Sequence, residues 1–293
     1  MADGKETAVG VIGLGSMGLG MAQTLAGKGF RTFGFDLSAQ RAALAEESGV
    51  IPLTSIADVL RQSDYLVFSL PTAKDVAGVV NDHLDALSGR KGHRIIIIDT
   101  STSEPAVSRE LAEKLDGLGI GFLDAPVSGG PSGAASGKLT MMIGGSDEDV
   151  ALARPVIEAL AAKALHVGPS GAGNVAKLVN NLLAAAHLLT TSEGLKLAQA
   201  AGIDPEAALR VVNAASGRSM ISEVHFPTWV VSNRFDSGFS MGLMRKDVRL
   251  ASELAQQTGA QLPVAELVAK LWAEPGKLKD SDDFTHMGAF RES

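Results

Sequence analysis

The stretch Ala8-Val-Gly-Val-Ile-Gly-Leu-Gly-Ser-Met-Gly18 decides the fold. An apolar run over Ala8–Gly13 reads as a buried strand, and Met17 to Lys28 reads as the helix that follows it. Between them lies Gly13-Leu14-Gly15-Ser16-Met17-Gly18. The first glycine permits a tight turn, the second lets a pyrophosphate approach the backbone, and the third allows close helix–strand packing. The helix start supplies free N–H groups and a favourable dipole to the phosphates. A second strand, Arg31–Phe35, ends at Asp36, at the spacing expected of a carboxylate that accepts hydrogen bonds from an adenosine ribose. A carboxylate there repels a 2′-phosphate. Arg41, one helical turn further on, softens that repulsion. The reading is NAD over NADP.

Working outward, Ser38–Ser48 reads as a helix and Ile51–Pro52 as a short strand end. Tyr65–Leu70 and Arg94–Ile98 are further strands, the second carrying four consecutive isoleucines as a central strand covered on both faces would. Ser103-Glu104-Pro105 starts a helix. Gly121–Val127 and Leu139–Ile143 read as later strands separated by a glycine-rich loop. Strand–helix alternation implies right-handed βαβ units and a mostly parallel sheet. From about Gly173 to Ala201 the pattern changes to one long helix. Asp204-Pro205 restarts a helix, and Lys246–Thr258 and Pro263–Trp272 are amphipathic helices. The expected fold is α/β: an N-terminal Rossmann-type dinucleotide-binding domain, a long connecting helix, and an all-helical C-terminal domain. The Gly168-Pro169-Ser170-Gly171 break suggests domains of residues 1–170 and 171–293. The polar last dozen residues are expected to fray.

Composition narrows the classes. Of 293 residues, 45% are hydrophobic and 20% charged, enough for a sizeable core. The net charge of −7 and scattered Lys and Arg argue against a nucleic-acid partner. The absence of cysteine excludes disulfides, thiolate catalysis and Cys-based metal sites. The polar start, Met1 to Thr7, lacks the pattern of a signal peptide, and no apolar stretch reaches the roughly 18 residues of a membrane span. A cytoplasmic protein with no membrane partner is expected. Histidines 83, 93, 166, 187, 225 and 286 show no metal-ligand spacing, so no metal is called for.

Gly173, Lys177 and Asn181 are four apart and share one helix face. Val175, Ala176, Leu178, Val179, Leu182 and Leu183 around them suggest a largely buried helix. A lysine there either uses its amine, whose pKa desolvation lowers toward neutrality, or snorkels to the surface. Gly173 would leave room for a ligand one turn before the amine, and Asn181 would hold the lysine or the substrate. Ser128-Gly129-Gly130 presents a hydroxyl and unobstructed N–H groups, a concavity suited to a carboxylate. Asp124, before a proline at a strand end, has a structural role.

Four segments together, the glycine loop, Asp124-Ala-Pro-Val-Ser-Gly-Gly130, Gly171-Ala-Gly-Asn-Val-Ala-Lys-Leu-Val-Asn-Asn181 and Lys246-Asp247 before a helix, resemble the β-hydroxyacid dehydrogenase family. Its members include 3-hydroxyisobutyrate dehydrogenase and tartronate semialdehyde reductase. Ser216-Gly-Arg-Ser219 looks closest to the 3-hydroxyisobutyrate branch. The resemblance implies NAD-dependent, reversible oxidation of the hydroxyl of a small 3-hydroxy acid, with Lys177 as general acid/base and Asn181 beside it. It implies that Ser128, Gly129 and Gly130 hold the acid group, and that Leu70, Pro71, Thr102 and Lys246 line the cofactor cleft. Asp247 is either a direct site residue or a helix N-cap or first-turn acid. Phe239 packs either against the substrate or in the core. A homodimer or homotetramer is implied. The alternatives are an NADPH-dependent semialdehyde or imine reductase and a non-catalytic NAD-binding regulator.

Overall fold

The computed structural model describes residues 7–88 and 94–290. They divide into two compact units, one ending at Lys177 and the other beginning at Leu178. His93 lies outside the described residues.

The N-terminal unit is built on a nine-stranded sheet. In chain order its elements are β1 (Ala8–Ile12), α1 (Ser16–Gly27), β2 (Arg31–Phe35), α2 (Ala39–Glu46), β3 (Ile51–Pro52), α3 (Ile56–Gln62), β4 (Tyr65–Phe68), α4 (Ala73–Asp82), α5 (Leu84–Ser88) and β5 (Ile96–Asp99). There follow α6 (Pro105–Asp116), β6 (Gly121–Asp124), β7 (Val127–Ser128), α7 (Gly130–Ser136), β8 (Leu139–Gly144), α8 (Asp147–Leu160) and β9 (Ala161–Gly168). The strands lie in the order β3-β2-β1-β4-β5-β6-β8-β7, with β9 also on β8. β1 to β6 are parallel to one another, whereas β8 runs antiparallel to β6 and β7.

The sheet is covered on both faces because its strands alternate between two cores. Val9, Val11, Val67, Ile96, Ile98 and Leu123 pack with Met21 and Leu25 of α1 and Val156 and Leu160 of α8. Ile12, Leu66, Phe68, Ile97 and Phe122 pack with Val59 and Leu60 of α3, Val76 and Val80 of α4, and Leu111 and Leu115 of α6. The isoleucine run is thus the doubly covered central strand its composition suggests.

α9 (Ala172–Ala200) is one 29-residue helix that begins in the N-terminal unit and continues into the C-terminal one. The rest of the C-terminal unit is helical: α10 (Pro205–Ala214), a π-helix (Ile221–Val230), α11 (Met241–Thr258), α12 (Pro263–Ala273) and a 3-10 turn (Phe284–Gly288). Its core gathers Leu188, Leu195, Phe226, Val248 and Trp272.

Several expectations need correction. The glycine-rich loop before β8 folds as α7, because Gly129 and Gly130 take positive φ (122° and 62°) and Pro131 then starts a helix. The helix expected from Lys246 begins at Met241, where the Ser240 hydroxyl caps the Leu243 N–H. Asp247 therefore sits in the second turn and is neither N-cap nor first-turn acid. Among the described residues the tail is packed up to Phe290: Phe284, Thr285, Gly288 and Phe290 are buried, and Asp283 caps the 3-10 turn. α9 is less buried than its apolar composition implies, since Val179 and Leu183 are exposed. Among the described residues, no helix is long and apolar enough to cross a membrane.

Candidate active site

Strand register brings the N-terminal unit's candidate residues to one edge. Ile12 pairs with Phe35 and Phe68, Phe68 with Asp99, and Asp99 with Asp124, so neighbouring strands end level. The ladder runs one residue further: Gly13 N–H donates to Phe35 O, Ser69 N–H to Ile12 O, Thr100 N–H to Phe68 O and Ala125 N–H to Asp99 O, all within 2.9 Å. The segments leaving these carboxyl ends hold Gly13–Gly18, Asp36, Leu70–Pro71, Ser101–Thr102 and Asp124–Gly130. Ligands of open α/β sheets bind outside such strand ends.

The glycine turn has the close backbone approaches its spacing suggests at Gly13 and Gly18. Gly13 has φ +90°, and a Cβ there would collide with the Ser69 carbonyl. A Cβ on Gly18 would collide with the Gly13 carbonyl, so this glycine lets α1 lie against the turn. Gly15 is different: nothing but the Arg41 guanidinium, at 3.8 Å, lies near its Cβ position. Gly15 is also the N-cap of α1, with no side-chain cap and no acid in the first turn. Ser16, Met17 and Gly18 are the first three helical residues, whose N–H groups have no partner within the helix. An open glycine beside such N–H groups suits a pyrophosphate.

Asp36 is tied into this turn. Its Oδ2 accepts from Leu14 N–H at 2.7 Å and its Oδ1 from Ser38 N–H at 2.8 Å. The Arg41 guanidinium stands 3.6 Å from Oδ2. Leu14 itself is buried, and contributes its backbone. Further along the edge, Leu70 N–H donates to Ser101 Oγ at 3.0 Å, and Thr100 Oγ1 donates to Phe68 O at 2.6 Å, cross-linking the loops after β4 and β5. Pro71 is exposed and Thr102 half-buried.

After β6, Val127 and Ser128 pair with Met141 and Thr140 of β8. Gly129 caps α7 with its backbone alone, leaving Ser128 half-buried and Gly129 exposed. Asp124 is fully buried and accepts from Gly171 N–H at 2.7 Å and Asn174 N–H at 2.8 Å. Burial pushes its carboxyl above the usual carboxylate range, against the pull of the backbone donors at Gly171, Asn174 and Gly173. These bonds seat the first turn of α9 on the strand ends. Lys177, in the next turn, is 7% exposed. Gly173 does not make room for a ligand: its Cβ would collide with the Asp124 and Met142 carbonyls, so it packs the helix against the sheet. Asn174, which the spacing argument passed over, is fully buried in the same turn. Its position within Gly171–Asn181 was the available signal.

The C-terminal unit joins three of the remaining candidates. Asn181 Nδ2 donates to Asp247 Oδ2 at 2.5 Å, and Lys246 Nζ is 3.5 Å from Asp247 Oδ1. Asn180 Nδ2 donates to Asn181 Oδ1 at 3.0 Å. Phe239 is half-buried, with its ring edge-on to Phe284 at 5.5 Å. His225, on the π-helix, contacts the rings of Trp229 and Phe284, and burial lowers its pKa against the raising effect of the Met220 carbonyl and Asp283. Among the described residues, no group of three or more His, Asp or Glu side chains is placed to hold a metal ion.

Two family descriptions match the chain. Residues 8–168 match the NAD binding domain of 6-phosphogluconate dehydrogenase, and residues 171–290 the NAD-binding domain of NADP-dependent 3-hydroxyisobutyrate dehydrogenase. Human mitochondrial 3-hydroxyisobutyrate dehydrogenase is 33% identical over 280 residues, covering 92% of this chain and 81% of its own. The chain belongs to the β-hydroxyacid dehydrogenase family. Another relative of this family member is 2-(hydroxymethyl)glutarate dehydrogenase of Eubacterium barkeri, 34% identical over 268 residues, with 92% of this chain and 89% of the relative covered. A solved structure of Mycobacterium tuberculosis 3-hydroxyisobutyrate dehydrogenase with L-serine superposes with a TM-score of 0.88 at 32% identity, covering 97% and 98% of the two chains. This β-hydroxyacid dehydrogenase is thus an oxidoreductase with a nicotinamide-dinucleotide-binding domain.

Proposed function

We propose that the protein catalyses the NAD-dependent, reversible oxidation of the hydroxyl of a small 3-hydroxy acid, similar to 3-hydroxyisobutyrate, to the semialdehyde or keto acid. The observation that carries this reading is Lys177: a lysine 7% exposed, on a helix seated at the strand ends that also carry the Gly13–Gly18 turn. A buried lysine is costly unless its amine is used or paired. The cofactor, when bound, supplies the hydride acceptor. This chain's residues bind, orient and move the proton.

In this reading Ser16, Met17 and Gly18 hold the pyrophosphate through their N–H groups, and Leu14 and Gly15 give it access. Asp36 accepts from the ribose hydroxyls, its carboxylate held in place by Leu14 and Ser38. Leu70, Pro71 and Thr102 border the same site. Ser128 Oγ and the N–H groups of Gly129 and Gly130 hold the acid's carboxylate. Lys177, neutral in the oxidative direction, takes the hydroxyl proton as the C–H hydride leaves. Protonated, it returns that proton to the alkoxide in the reductive direction. Asn181, one turn beyond Lys177 on α9, is hydrogen-bonded to Asp247, and Asp247 and Phe239 are proposed as substrate-binding residues. NAD is favoured over NADP because the Asp36 carboxylate, held at the end of β2 by Leu14 and Ser38, would repel a 2′-phosphate. The domain boundary falls near residue 170, with α9 as the connector. A cytoplasmic homodimer or homotetramer fits the exposed Val179, Leu183, Leu197 and Val211 of the helical unit.

The test is NADH formation with a panel of 3-hydroxy acids, NAD against NADP, and wild type against Lys177→Ala. The variant should bind NAD normally and lose turnover by about two to four orders of magnitude, the range of general acid–base catalysis. Near-normal turnover in Lys177→Ala would refute the assignment.

A further inference from the structure

Lys177 rides on a helix whose first turn is tied to three elements of the N-terminal unit. Asp124, at the end of β6, accepts from the Gly171 and Asn174 N–H groups. Asn174, itself fully buried, accepts from Ser103 N–H through Oδ1 at 2.9 Å and donates through Nδ2 to Ser108 Oγ of α6 at 3.0 Å. The Ser103 N–H admits only an acceptor, which fixes which end of the amide faces it. Gly173 brings the backbone of the same turn against the ends of β6 and β8. Apolar packing alone is non-directional and would let a helix rotate or slide on a sheet. Four buried hydrogen bonds with fixed geometry prevent both. Asn174 precedes Lys177 by three residues, so the two are neighbours on one side of α9.

We propose that Asn174, held by Asp124, is a positioning residue for Lys177. The pair sets the rotation and height of α9 on the strand ends, and with them the place of the amine. This rests on Lys177 being the proton-transfer group. A shift of about 1 Å in such a group costs roughly 100-fold in rate. Asn174 has no path to the chemistry except through the helix it anchors, and this separates it from a residue that contacts substrate.

The experiment is a double-mutant cycle: Asn174→Ala in the wild type and in Lys177→Ala, reading kcat, KM for the acid and the Kd for NAD. In the wild type, kcat should fall about 10- to 100-fold. NAD affinity, set on the loops after β1 and β2, should stay within about two-fold. In Lys177→Ala the further loss should shrink below about two-fold, since no amine remains to be misplaced. A merely structural role would lower both backgrounds equally, and equal losses would overturn the proposal. Ser108→Ala removes only the acceptor of the Asn174 amide and should show the same coupling with a smaller loss. It decides the matter if Asn174→Ala does not fold. Retained turnover in Lys177→Ala alone would instead overturn the lysine reading, and the proposal with it.

Discussion

Substituting Gly173 by alanine separates packing from ligand access. The spacing of Gly173 and Lys177 suggests a missing side chain that makes room for substrate. In the structure the added Cβ would meet three backbone atoms, the carbonyls of Asp124 and Met142 and the amide nitrogen of Gly144. None belongs to a flexible side chain, so strands β6 and β8 or the helix must move. Overpacking of this kind costs about 1–3 kcal/mol, and contact with backbone alone puts it at the upper end. Alanine returns about 1 kcal/mol through its higher helix propensity. The net destabilisation is about 2 kcal/mol, roughly a 30-fold change in the folded-to-unfolded ratio. Gly194 is an internal control on the same helix: nothing lies within 4 Å of its Cβ position, and Gly194→Ala should stabilise by about 0.5–1 kcal/mol. Urea unfolding followed by far-UV circular dichroism and by tryptophan fluorescence reads both. Trp229 and Trp272 both lie in the C-terminal unit, so Gly173→Ala should lower the dichroism midpoint more than the fluorescence one. A wild-type midpoint combined with a raised KM for the acid would refute the packing argument and restore the ligand-room reading.

Two further outcomes are expected. His225 has a folded-state pKa below its unfolded value, so its contribution to stability is full above the unfolded value and is lost as pH falls toward the folded one. Wild type should therefore lose stability relative to His225→Phe, which keeps the ring contacts to Trp229 and Phe284, as pH drops from about 7 to about 5; parallel melting temperatures across that range would sink the argument. Asp36→Ala should weaken NAD about 10-fold by removing the acceptor of Leu14 N–H and the ribose, and should release Arg41 toward a 2′-phosphate. The ratio of kcat/KM for NAD and NADP measures this, and an unchanged ratio would remove Asp36 from cofactor choice.

Much of the fold is local enough to be read along the chain. The apolar run into Gly13-Leu14-Gly15, the strand ending at Asp36 and the four isoleucines each declare themselves through period, β-branching and punctuation, and the structure has β1, β2 and β5 there. The 29-residue α9 follows from an uninterrupted helical pattern, and Asp204 caps α10 as its place before Pro205 suggests. Other elements were not read along the chain. α5 is only five residues long, too short for a helical period to show; α3 and α4 did carry a signal, the caps Ser55 with Asp58 and Thr72 with Asp75, which went unread. β9 is nearly all exposed, so it lacks the apolar signature of a strand and exists by pairing with β8. The π-helix of Ile221–Val230 depends on a register of backbone bonds that residue types do not encode.

The site divides in the same way. By itself the sequence determined which residues can do the chemistry, because a glycine turn, an acid after the second strand and a lysine in an apolar helix are statements about residue type and spacing. The tertiary structure decided what holds them. Only the level ending of β1, β4, β5 and β6 shows that loops up to about a hundred residues apart share an edge. Only the packing reverses the role of Gly173, from an opening to a contact, and brings Asp124, Asn174, Ser103 and Ser108 into one buried network. The physical reason is that such hydrogen bonds join residues distant in sequence. Their partners are chosen by the fold as a whole, which no local pattern records.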